Sequence, residues 1–209
     1  YSVALSSDGT TLAIGAPYAN TPTGTDNVGH VRVYKYKTIA PAGWDQLGAD
    51  IDGEAQDDSS GFSVALSADG TTLAIGATSA NTPAGTNNVG HVRVYKYNPN
   101  KVTIPVGWDQ LGVDIDGEGI DFSGYSVALS ADGTTLAIGA LYNDGAGLDN
   151  AGHVRVYKLI TAQAPATFSI SNPAIADIEN GGFIVIKSGA SGSATITAVQ
   201  PASPPFTFA

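Results

Sequence analysis

No cysteine occurs anywhere in the 209 residues, so disulfides and thiolate metal sites are excluded. Methionine is also missing, position 1 included. Charged residues make up only 13% of the chain, about half the usual share. Nine basic residues face 19 acidic ones, for a net charge of −10. Most of the basic ones (Arg32, Lys35, Arg93, Lys96, Arg155 and Lys158) recur inside one repeated motif. No basic patch is left to neutralise phosphates, so a nucleic-acid partner is not expected. No apolar run approaches the roughly 18 residues of a membrane span. No signal peptide is visible and the chain opens inside a motif, which suggests a processed product or a segment of something larger. The catalytic signatures are absent too: no Gly-x-Ser-x-Gly elbow, no phosphate loop, no His-Glu-x-x-His helix. The sequence therefore leads us to expect no enzyme.

What is present is glycine, at 26 positions, and repetition. Tyr1-Ser-Val-Ala-Leu-Ser-Ser-Asp-Gly-Thr-Thr-Leu-Ala-Ile-Gly-Ala16 returns as Phe62 to Ala77 and as Tyr125 to Ala140. Each copy sets two short apolar runs around Asp-Gly, the signal of a tight β-hairpin. A polar loop follows, then Gly29-His-Val-Arg-Val-Tyr-Lys35, repeated from Gly90 and Gly152. On this strand Val31 and Val33 share one face, and His30, Arg32 and Tyr34 the other. A fourth element, Gly43-Trp-Asp-Gln-Leu-Gly48, recurs from Gly107 and runs on into Asp-Ile-Asp-Gly-Glu. Copies start 61 and 63 residues apart with four strand candidates each, a spacing that suggests propeller blades. The expected core is Val3, Leu5, Leu12, Ile14, Val31, Val33 and their later counterparts.

The order Gly-Phe-Ser-Val-Ala, hairpin, Ala-Ile-Gly-Ala-Pro, then Gly-His-Val-Arg-Val-Tyr resembles FG-GAP repeats, the blades of integrin-α-type β-propellers. Gly61-Phe62 and Gly124-Tyr125 match the first half of that name, and Gly15-Ala16-Pro17 the second; Thr78 and Leu141 replace the proline in later copies. The resemblance covers residues 1 to 159, with repeats 1–60, 61–123 and 124–159. It implies an all-β fold of three tandem four-stranded blades. The segment 160–209 resembles part of a bacterial Ig-like (group 2) domain, through its Ser-Asn-Pro turn and the Gly192-Ser-Ala-Thr-Ile-Thr-Ala198 strand.

Two sets of residues are candidate sites. Asp50, Asp52 and Glu54, with Asp114, Asp116 and Glu118, put carboxylates on one face if extended. Helped by Asp57, Asp58 or Asp121, they are candidates for calcium; no other cofactor is expected. FG-GAP propellers bind calcium through Asp-x-Asp-x-Asp-Gly loops, a spacing absent here. The competing reading pairs these carboxylates with Arg32, Arg93 or Arg155. His30, His91 and His153 share one motif position, which favours a repeated structural hydrogen bond over a shared zinc ion. Trp44 and Trp108, equivalent in the repeats, are expected to pack in the core or between blades.

The second set concerns assembly. Three blades do not close a ring of normal blade size. The third repeat lacks its fourth element, and the first opens directly on Ser2, Val3, Ala4 and Leu5. Open edges invite strand addition from another chain. Thr195, Ile196, Thr197, Ala198 and Val199, or Phe206, Thr207 and Phe208, are the expected donors. The expectation is an extracellular or cell-surface structural or adhesive protein, a homo-oligomer joined head-to-tail into an open filament. The alternative is a carbohydrate- or protein-binding propeller of which this chain is a segment.

Overall fold

A computed structural model describes residues 1–81, 88–144 and 149–159, with the strand backbones at 167–170, 176–179, 183–186, 196–199 and 207–208. The chain is all-β, with antiparallel pairing in every sheet. It divides into two units, Tyr1–Ile160 with Phe206–Ala209, and Thr161–Pro205.

In the first unit each repeat builds one sheet. Sheet 1 holds β1 (Ser2–Leu5), β2 (Thr11–Ala16), β3 (His30–Lys37), β4 (Gly43–Gln46) and β5 (Ile51–Asp52). Sheet 2 repeats it with β6 (Ser60–Leu66), β7 (Thr72–Ala77), β8 (His91–Tyr97), β9 (Trp108–Gln110) and β10 (Ile115–Asp116). Sheet 3 holds β11 (Ser123–Leu129), β12 (Thr135–Ala140) and β13 (His153–Lys158). The second unit contains β14 (Thr167–Ile170) paired with β17 (Ile196–Val199), and β15 (Ala176–Glu179) paired with β16 (Phe183–Ile186). The last strand, β18 (Thr207–Phe208), pairs with β13 through Tyr157↔Phe208 and Lys158↔Thr207.

Two details depart from the sequence reading. The fourth element is split in sheets 1 and 2: β4 and β5 both pair β3, and β9 and β10 both pair β8, making five strands rather than four. The reason lies at Gly48 and Gly112, whose φ values of 81° and 79° turn the chain between the two short segments. The hairpin is also wider than a two-residue turn. In the first copy Leu5 pairs with Leu12, and Asp8 fills the loop between them. Oδ1 of Asp8 accepts from Ser6 Oγ at 2.6 Å and from the Thr10 N–H at 2.9 Å, and Oδ2 from Thr10 Oγ1 at 2.7 Å. Asp69 and Asp132 repeat this arrangement. The aspartate is kept because its side chain substitutes for the backbone bonds that a tighter turn would make.

The sheets stack face to face. Ala13, Val31, Val33 and Ile51 of sheet 1 pack on Val64, Leu73, Ile75, Tyr95 and Trp108 of sheet 2. The opposite face of sheet 2, with Ala74, Val92, Val94 and Ile115, packs on Leu136, Ile138 and Tyr157 of sheet 3. The same contact is thus made twice, one repeat apart. Glycine allows its closest points: a Cβ at Gly15 would collide with the Gly61 carbonyl oxygen, and one at Gly76 with that of Gly124. A column of rings, Tyr1, Phe62 and Tyr125, runs through all three sheets with centroids 4.7 and 5.1 Å apart.

This stacking corrects the expected core. Val3 and Leu5 are 69% and 58% exposed, and Val154 and Val156 are 67% and 54% exposed. At the equivalent positions of the inner faces Val64, Val31, Val33, Val92 and Val94 are buried and Leu66 is partly buried. The sequence positions are equivalent, but among the described residues of this unit an end sheet has a neighbour on one face only.

Candidate functional site

The junctions between sheets carry the charge. On β8, Arg93 is buried; its Nη2 donates to the Asp52 carbonyl at 2.8 Å, and Nη1 lies 3.3 Å from Glu54 Oε1. On β13, Arg155 repeats this with the Asp116 carbonyl at 2.7 Å and Glu118 Oε1 at 3.5 Å. Each arginine therefore reaches back to the Asp-Gly-Glu segment of the repeat before it. Arg32, on sheet 1, folds onto Asp50 of its own repeat instead. Its Nε donates to both carboxylate oxygens at 3.0 Å, and Nη2 to Oδ2 at 2.8 Å. These bonds hold the Asp50 carboxyl below the ordinary carboxylate range.

Because Arg93 turns away, Asp114, the counterpart of Asp50, is free of an arginine. Its Oδ1 accepts from Gln110 Nε2 at 2.8 Å, while Oδ2 stands 3.8 Å from Nδ1 of His91. His91 is almost wholly buried, and burial pushes its pKa down against the pull of Asp114. Glu54 completes the group, with ligand atoms of all three residues within 4.8 Å of one another. Burial raises the Glu54 pKa, opposed by Arg93 and reinforced by Asp114. The group lines a cleft of about 530 Å3 that also takes in Gln110 and Asp116. Burial raises the Asp116 carboxyl as well.

The other candidates are distributed as follows. Asp50 and Asp52 lie with His30 in a similar cluster, but Asp50 is occupied by Arg32. Glu118 pairs with Arg155. Asp58 and Asp121 are buried turn anchors: Asp58 Oδ2 accepts the N–H groups of Glu54 and Ala55, and Asp121 Oδ2 that of Glu118. Asp57 accepts from Asn27 Nδ2. The histidine reading is corrected, because Nε2 of His91 and of His153 is buried with no hydrogen-bond partner. Trp108 is fully buried and donates Nε1–H to the Leu47 carbonyl of the preceding repeat at 2.9 Å, whereas Trp44 is half-exposed.

Of the expected assembly residues, Ser2, Val3, Ala4 and Leu5 form β1, at the sheet edge that β6 and β11 also occupy in theirs. Ile196, Thr197, Ala198 and Val199 form β17, paired with β14. Thr207 and Phe208 lie on β13 of their own chain, the position read as open in the third repeat. Thr195 and Phe206 lie outside the described residues. The conjunction of Glu54, His91 and Asp114 was missed, since its members come from two repeats. Asp-Gly-Glu recurring one repeat ahead of a strand that begins with His was the signal available.

Among the described residues no helix is long and apolar enough to cross a membrane. No family model matches the chain, so neither the FG-GAP nor the Ig-like resemblance gains support there, and no curated protein matches it. Among solved structures the chain is similar to the periplasmic gluconolactonase of Pseudomonas aeruginosa, with TM-score 0.42 and 18% identity over 95% of this chain and 56% of that one. The chain thus spans little more than half the length of that protein. That neighbour is, by its name, an enzyme, so the expectation that this chain is not one is withdrawn; no substrate or residue role is carried over.

Proposed function

We propose that the chain is an extracellular structural module that assembles head-to-tail, sheet 3 of one copy stacking on sheet 1 of the next. The observation that carries this reading is that the two open faces are the two halves of a contact the chain already makes twice. Val3, Leu5, Leu12 and Ile14 are the counterparts of Val64, Leu66, Leu73 and Ile75, which receive a preceding sheet. Val154 and Val156 are the counterparts of Val31 and Val33, which offer themselves to a following one. Beside Val154 a cleft of about 430 Å3, lined also by Tyr125, Ser126 and Gly139, lies where the other junctions seat Gly61 and Gly124. An exposed Tyr1 of a second copy has the chemistry to enter it and extend the ring column. Backbone bonds continue in step: the Ser7 N–H donates to the Ala68 carbonyl and the Ala68 N–H to that of Ala131, each at 2.9 Å. The next in series runs from the Ala131 N–H to Ser7 of another copy. Faces rather than edges therefore lead the assembly, with β18 exchanged between copies as the strand-addition form of it.

A second reading rests on Arg32. Its equivalents reach the acidic segment of a preceding repeat, which sheet 3 does not supply, so a further blade of a longer propeller fits sheet 1 with that pair made. Light scattering and negative-stain microscopy over a micromolar concentration series test the first reading. Assemblies that grow with concentration, and that are lost in Val156→Asp with the monomer still folded, are expected. A monomer at every concentration would overturn it and favour the longer propeller.

A further inference from the structure

We infer that Glu54, His91 and Asp114 form a binding site for one divalent transition ion of the zinc class at the junction of sheets 1 and 2. The three side chains supply one imidazole nitrogen and two carboxylate oxygens from positions mutually within 4.8 Å. Imidazole nitrogen and carboxylate oxygen both ligate zinc, and three protein donors leave one of its four positions open. The open position would face the cleft, where Gln110 and Asp116 line the wall.

Acidic clusters form without binding anything, so the case rests on the histidine. His91 is 5% exposed and lines the cleft, and its side chain makes no hydrogen bond among the described residues. Its Nδ1 is the nitrogen turned toward the cluster, 3.8 Å from Asp114 Oδ2 and beyond hydrogen-bonding distance. A metal bond at Nδ1 would give the nitrogen turned toward the carboxylates the partner it lacks. The carboxylates point the same way: Glu54 and Asp114 lie within 4.8 Å of each other, and of the two only Glu54 meets Arg93. A cation between them removes that repulsion.

Imidazole nitrogen selects a transition ion over calcium, which takes oxygen donors in larger number. The first-repeat cluster of His30, Asp50 and Asp52 serves as an internal control, because Arg32 holds both oxygens of Asp50. The site lies within one chain and does not depend on assembly between copies.

The test is titration of the metal-free 209-residue chain with Zn2+ by calorimetry and with Co2+ by visible absorption. One ion per chain is expected, with ligand-field bands of a nitrogen–oxygen site and no displacement by millimolar Ca2+. Asp114→Asn, which keeps the shape, should weaken binding at least tenfold, and His91→Gln should abolish the cobalt bands. His30→Gln should leave both unchanged. Circular dichroism of each variant separates loss of metal from loss of fold. No saturable binding, binding that survives His91→Gln, or equal loss in His30→Gln would each overturn the assignment.

Discussion

Gly76 on β7 lies directly against the backbone of Gly124 on β11: a Cβ on Gly76 would overlap the Gly124 carbonyl oxygen. Its counterpart in sheet 3, Gly139, would meet Ser126 of its own sheet, closest at the hydroxyl. Gly76→Ala should destabilise the chain by about 2–4 kcal/mol, the range of severe core overpacking. Gly139→Ala should leave urea unfolding of the monomer almost unchanged while weakening the assembly proposed above. Equal effects of the two substitutions on the monomer would contradict the account of the stacked faces.

The two tryptophans separate in the same way. Trp108 is enclosed and bonded to the preceding repeat, so Trp108→Phe should cost about 1–3 kcal/mol from the unmet Leu47 carbonyl and lost packing. Trp44→Phe should cost less than about 0.5 kcal/mol. Denaturant titrations of both variants check this, and near-equal losses would count against an inter-repeat role for Trp108.

Arg93 and Arg32 share a motif position but have different partners. Arg93→Met removes a buried guanidinium from the Asp52 carbonyl and should cost about 1–3 kcal/mol. Arg32→Met removes a surface pair worth less than about 1 kcal/mol, and high salt should erase its effect.

The hairpin aspartates set the acid limit. Bonds from Ser67 and Thr71 lower Asp69 from 3.8 to about 2, and bonds from Ser130 and Thr134 do the same for Asp132. A depressed value means that the ionised group stabilises the fold above the ordinary 3.8, and that this support is lost as pH falls through about 2. Carbon-13 NMR of the side-chain carboxyls should place both midpoints near that pH. Asp69→Asn should lower stability at neutral pH and flatten the acid limb of the unfolding profile. Ordinary midpoints would remove the cage as the cause.

Much of this was legible. Hairpin, third strand and Trp-Asp-Gln element could be read from alternation and recurrence, because each is a local pattern that its own residues enforce. Exposure of Val154 could not be read, since Gly-His-Val-Arg-Val-Tyr is spelled alike in all three repeats and only the neighbouring sheet decides its burial. The partner of Arg32 was hidden for the same reason: one motif, two destinations. The splitting of the fourth element turned on the positive φ of Gly48 and Gly112, which a short glycine-punctuated run does not announce. The candidate metal site combines Glu54 with His91, two residues that only the stacking of sheets brings together.

The backward reach of the arginines bears on how the molecule can be made. Arg93 and Arg155 each find their acceptors in the repeat synthesised before them, at Asp52 and Asp116. As the chain leaves a ribosome, each emerging guanidinium meets a carbonyl and a carboxylate already exposed and waiting. Neither of these two has to wait for a partner still to be translated. Maturation can therefore proceed as a wave from the amino terminus, each repeat templating the one behind it.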